Sequence, residues 1–143
     1  MKNLDKFRIE QIAGAMRRAI ETCDPAELPW TSFPRGACGD TSLVLGQVLD
    51  DAGISGFMYV CGNRYEGDGS PSSHAWLQNG EWIVDITADQ FPEVDESVIV
   101  TNKSEWHGLW EHQRPEPGTL REYGSQVPQL WRLLTILKPQ LQF

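Results

Sequence analysis

From residue 4 to residue 21 the apolar positions Leu4, Phe7, Ile12, Met16, Ala19 and Ile20 recur at helical spacing, with Glu10, Arg17 and Arg18 between them. That pattern predicts an amphipathic helix whose apolar face packs on the rest of the chain. Asp24-Pro25 breaks it, and Cys23 just ahead reads as a small buried hydrophobe. Pro29, Pro34, Gly36 and Gly39 punctuate a connector, after which Leu43, Val44, Val48, Leu49 and Ala52 define a second helical face. This helix starts near Cys38 and ends at Gly53, a residue suited to the left-handed position that follows a helix.

The pattern then changes to short β-prone runs. Phe57 to Cys61 reads as a strand, and residues 66–73 as a polar loop. The runs His74 to Gln78 and Glu81 to Asp85 flank Asn79-Gly80, a strong hairpin signal. Val98 to Val100 predicts another strand, residues 104–110 a short helical turn, and residues 112–128 a loop rich in Pro and Gly. The apolar run Leu130 to Leu137 fits either strand or helix, because its periodicity favours neither. Helices followed by a mostly antiparallel sheet make an α+β fold. The 143 residues fit a single domain, 1–143, that buries roughly two thirds of its unfolded surface.

Composition narrows the function classes. A net charge of −8 with scattered basic residues repels phosphate backbones, so nucleic acid is not the expected partner. No apolar run is long enough to span a bilayer, and charges interrupt the first twenty residues too often for a signal peptide, so the expectation is a cytoplasmic protein with no membrane partner. Three cysteines without paired short spacing argue against a disulfide framework and against structural zinc. No cofactor and no metal are expected.

The candidate chemistry centres on Phe33-Pro34-Arg35-Gly36-Ala37-Cys38-Gly39-Asp40-Thr41. A thiol in the first turn of a helix is stabilised as a thiolate by the unpaired N–H groups and the helix dipole. If Asn79-Gly80 is a two-residue turn, Gln78 faces Glu81 and His74 falls directly opposite Asp85, on one face with Cβ atoms about 4.5–5.5 Å apart. Cys38 then reads as nucleophile, His74 as general base and acid, and Asp85 as the carboxylate that orients the imidazole. The backbone N–H of Cys38 is one oxyanion donor. A second donor is not legible in the sequence.

In the order Cys, His, Asp, the segments Arg35-Gly36-Ala37-Cys38-Gly39-Asp40, His74-Ala75-Trp76 and Trp82-Ile83-Val84-Asp85-Ile86-Thr87 resemble the transglutaminase-like branch of papain-like cysteine enzymes. Arg-Gly-x-Cys with a later Asp at a strand end is also similar to arylamine N-acetyltransferases. Asp85 to Phe91, with His74-Ala75-Trp76, looks like a signature of small uncharacterised bacterial proteins. The resemblance covers about residues 33–91. It implies a transglutaminase-like cysteine-protease core acting on an amide or acyl group of a peptide or protein substrate, as peptidase, isopeptidase or glutamine deamidase. The gaps between Cys38, His74 and Asp85 are short compared with those of larger transglutaminases, and a chain of 143 residues is expected to lack the accessory domains of those enzymes or of the acetyltransferases.

Other residues carry weaker readings. Gln90 is a candidate side-chain oxyanion donor, or with Asp89 merely starts a turn before Pro92. Trp76 shares the His74 face and is placed to line the cleft, whereas Trp82 shares the opposite face with Ala75, Leu77 and Val84. Arg35 and Asp40 bracket the cysteine as substrate contacts, Asp40 equally as a cap. Cys61 reads as structural, and His107 and His112 as surface or interface histidines. Trp30, Trp106, Trp110 and Trp131 are assigned to packing. Two rival functions stand beside the enzyme: a retired fold that binds a protein partner, and a zinc site built from Cys38, Cys61, His74 and Asp85.

Overall fold

The computed structural model describes residues 5–141. It is α+β, with four α-helices and a six-stranded antiparallel sheet. Helix α1 (Lys6–Thr22) is capped by the Asp5 carboxylate, which accepts from the Arg8 N–H. Its buried face is Ile9, Ile12, Ala13, Met16, Ala19 and Ile20. Phe7, expected on that face, is 69% exposed, because the buried stripe runs through Ile9 instead. Leu4 lies outside the described residues. Arg17, read from periodicity as polar-face, is buried. Cys23 is buried as expected.

Helix α2 (Cys38–Asp51) starts at the cysteine, and Gly53 beyond it has φ of 85°. Strands β1 (Met58–Tyr65), β2 (Pro71–Asn79), β3 (Trp82–Asp85) and β4 (Ile99–Thr101) follow, then α3 (Glu105–Gly108), two-residue strands β5 (Glu111–His112) and β6 (Glu116–Pro117), and α4 (Pro128–Leu137). The ambiguous C-terminal run is thus a helix, opened by Pro128 in its first turn. The sheet order is β4-β3-β2-β1-β5, with β6 on the same edge of β1 as β5. Strand β1 runs four residues past its predicted end, and β2 begins three before His74, taking up much of the expected loop.

The hairpin register corrects the sequence reading. Asn79 pairs with Trp82, Gln78 with Ile83 and Leu77 with Val84, so Gly80-Glu81 is the turn and His74 is not directly opposite Asp85. The slip is two residues. A strand's side chains alternate with period two, so an even slip leaves every residue on its face. His74 and Asp85 stay on one side and meet diagonally.

The sheet has two apolar faces. One carries Leu77, Val84 and Ile86 against α1, α2 and α4 in the main core, with Trp82 packed at its margin and Trp30 within it. The other is a smaller cluster of Val60, Trp76, Ile83 and Trp110, with Phe91 and Trp106 packed against it. Gly62 lets this cluster close down on the sheet. A Cβ there would lie 2.6 Å from the Cβ of Trp110.

Candidate active site

Strand β3 pairs with β2 only from Leu77 to Asn79. The second edge of β2 is therefore open at Ala75 and His74. The Cys61 carbonyl accepts from the Gln113 N–H on the far side of β1, so the Cys61–Ala75 pair exchanges no ladder bonds and the Ala75 N–H faces the open edge. There it is one of the groups that favour a negative Cys38 sulfur. The first turn of α2 thus brings the thiol to the strand edge beside His74.

Burial alone pushes the Cys38 thiol up, but its hydrogen bond to His74, the charge of that ring and the Ala75 N–H outweigh burial and hold it below an ordinary thiol. His74 shifts in the complementary sense. Burial works to lower it, yet the charge and hydrogen bond of Asp85, with those of Cys38, raise the ring to about 9.

Asp85 is the hub. Its Oδ2 receives His74 Nε2 at 2.7 Å and His107 Nε2 at 2.8 Å, while its Oδ1 accepts the Thr87 N–H at 3.0 Å. Burial would raise this carboxyl, but the His74 charge and the hydrogen bonds from His107 and His74 hold it well below the usual carboxylate range. His107 is fully buried, which corrects its reading as a surface residue. The Ser104 side chain caps α3 by accepting the His107 N–H, and its oxygen lies 2.6 Å from His107 Nδ1. Nδ1 accepts the Ser104 hydroxyl proton when the ring carries its own proton on Nε2, the tautomer that serves Asp85. His112 is exposed as expected, and its Nε2 meets the His107 carbonyl.

The segment Asp85 to Phe91 is used almost residue by residue. The Ile86 carbonyl accepts from Arg17 Nη1 at 2.7 Å, and Asp89 receives Arg17 through two bonds of 2.8 Å each. This bidentate clamp fixes the short 3-10 turn Ala88–Gln90. Gln90 Nε2 consequently lies 3.1 Å from His74 Nδ1, the ring nitrogen not engaged by Asp85. Its amide can donate to the neutral ring or, turned over, accept from the imidazolium. Phe91 stands edge-on to His74 at 5.3 Å. Asp89 is therefore an anchor rather than a loose turn former.

Among the weaker candidates, Trp76 is fully buried under the His74 ring, 5.8 Å between centroids, and gives its Nε1–H to Gln78. It supports the histidine instead of lining an open cleft. Asp40 is engaged by Trp30 Nε1 at 3.2 Å. Arg35 is exposed, and its guanidinium makes no ion pair among the described residues. Cys61 is half-buried, and burial pushes its thiol up, reinforced by the Cys38 charge.

His74, Asp85 and His107 place one ligand atom each within 4.8 Å of one another, so they are also the candidate metal cluster among the described residues. Both Nε2 atoms, however, contact the same oxygen at hydrogen-bond distance. An ion would have to displace both bonds inside a buried site.

No helix of the described residues is long and apolar enough to cross a membrane. No protein-family model, no curated protein and no solved structure matches the chain.

Proposed function

We propose that this protein is a cysteine-dependent hydrolase or acyltransferase of transglutaminase-like type, acting on an amide or acyl group of a peptide or protein. Cys38 attacks the carbonyl, His74 takes the thiol proton and returns it to the leaving group, and Asp85 holds the ring and stabilises its cationic form. The observation that carries this reading is the fully buried His74–Asp85 hydrogen bond of 2.7 Å with Cys38 opening helix α2, and the downward shift of Cys38 with the upward shift of His74 agrees with it. Water as acceptor makes the enzyme a peptidase, isopeptidase or deamidase, and an amine makes it a transferase.

The test is alkylation by iodoacetamide at pH 6.5. Rapid modification of Cys38, lost in Cys38→Ala and strongly slowed in His74→Ala, is expected, with Cys61 slow throughout. A Cys38 that reacts no faster than Cys61 overturns the assignment and leaves the binding-module reading. A second reading, a metal centre at His74, Asp85 and His107, is favoured by the cluster itself. It requires stoichiometric metal in the purified protein, together with loss of that metal in His107→Ala.

A further inference from the structure

The sequence offers the Cys38 N–H as an oxyanion donor and Gln90 as a candidate, but the Gln90 amide lies against His74 Nδ1 at 3.1 Å, and the fold brings another group to the turn of Cys38. Tyr59 lies on β1 across from Leu77, on the same side of that strand as Cys61. Its hydroxyl reaches the first turn of α2, where it would stand 3.1 Å from a Cβ built on Gly39, the residue after the nucleophile. A side chain at 39 would crowd the hydroxyl, which gives the glycine a physical role although its φ is not in the left-handed range. The Tyr59 side chain is half-buried, and its hydroxyl makes no hydrogen bond to any described residue.

A solvent-reachable hydroxyl with no partner among the described residues, set against the turn that carries the nucleophile, is free to donate to a developing negative oxygen. We infer that the Tyr59 hydroxyl is the second oxyanion donor, completing with the Cys38 N–H the site that stabilises the tetrahedral intermediate. Burial, then the charges of Cys61 and Cys38, push the Tyr59 phenol up. The hydroxyl therefore stays protonated, as a donor must. The inference rests on Cys38 being the nucleophile.

In the acylation step the Cys38 sulfur forms a bond to the carbonyl carbon, and the carbonyl π pair moves onto oxygen. Tyr59 O–H and Cys38 N–H hold that oxyanion. Collapse restores the carbonyl and breaks the bond to the leaving group, leaving a thioester. Alkylation by iodoacetamide is different, since sulfur displaces iodide at a saturated carbon and no oxyanion forms. Two reagents thus separate oxyanion stabilisation from thiol reactivity.

The experiment compares rates of Cys38 acylation by p-nitrophenyl acetate and of Cys38 alkylation by iodoacetamide. In Tyr59→Phe acylation should fall roughly 10- to 100-fold, a little below the usual loss for an oxyanion donor because the leaving group is activated. Alkylation and its pH dependence should stay at the wild-type level. Gly39→Ala, whose Cβ would sit 3.1 Å from the hydroxyl and shift it by a few tenths of an ångström, should give a smaller loss of the same selective kind. Equal rates in variant and wild type, or parallel losses in both reactions, overturn the role of Tyr59. A wild-type Cys38 that iodoacetamide does not modify preferentially instead overturns the nucleophile, and the oxyanion site with it.

Discussion

His107 Nε2 stands 2.8 Å from Oδ2 of Asp85, the oxygen that also receives His74. One buried carboxylate thus orients two imidazoles, of which only His74 reaches the thiol. Replacing His107 by Leu deletes one donor and strands the Ser104 hydroxyl, while leaving the His74–Asp85 bond in place. The expected result is a loss of about 2 kcal/mol in urea unfolding, with Cys38 alkylation retained. Complete loss of alkylation in a folded His107→Leu protein would make His107 part of the thiol's own proton path.

The pH dependence of stability reports the His74–Asp85 pair. His74 is raised from 6.5 to about 9 in the folded protein, so its stabilisation is fully present below pH 6.5 and is lost as the pH rises through about 9. Cys38 titrates over part of this range in the opposite sense, and Cys38→Ala removes that contribution. Unfolding free energy of Cys38→Ala should therefore fall as the pH climbs above 6.5, over a narrower window than in the wild type because the part of the His74 shift due to Cys38 is gone. In the Cys38→Ala, Asp85→Asn double variant the slope should flatten. A flat profile in the single variant would mean that Asp85 does not raise the ring.

Part of this site was legible because its signals are local. A cysteine between glycines ahead of an apolar helix pattern fixes Cys38 on α2, and strand alternation fixes the face of His74 and Asp85 even with the turn misplaced. Which two residues form the hairpin turn is decided by small differences in turn energy and by what Trp82 and Val84 must cover, and Asn79-Gly80 alone did not reveal that. His107 was missed because its partner lies 22 residues away and no ligand spacing marks it. The available sign was Trp106 and Trp110, whose indoles imply that the turn between them faces a core. Tyr59 was invisible for a related reason. Nothing in a strand pattern says which helix turn a phenol will touch.

Arg17 supports the site from a distance. It is buried, and its bidentate bond to Asp89 with its bond to the Ile86 carbonyl holds the turn that carries Gln90. Arg17→Met should cost about 3 kcal/mol, because Asp89 is left without its cation and the Ile86 carbonyl without a donor. Adding Asp89→Leu should recover part of the loss. The urea midpoints of the two single variants and the double variant measure the coupling, and simple additivity would mean that the pair does not act as a unit.

Local propensity and packing pull in opposite directions at Gly46. Gly46 lies inside α2, where alanine is favoured over glycine by roughly 1 kcal/mol, so a sequence argument expects Gly46→Ala to stabilise. In the fold a Cβ at 46 would lie 1.8 Å from the Gly118 carbonyl oxygen, and Gly118 is itself pressed on the Phe57 carbonyl, 2.3 Å from its own would-be Cβ. These neighbours are backbone atoms, so no rotamer change relieves the overlap, and the strap from β6 into the Leu120–Glu122 turn must move away from α2. Overpacking of this kind outweighs the propensity gain, and Gly46→Ala should lose about 3 kcal/mol or more. A urea midpoint at or above wild type would mean that α2 and the strap at residue 118 do not touch.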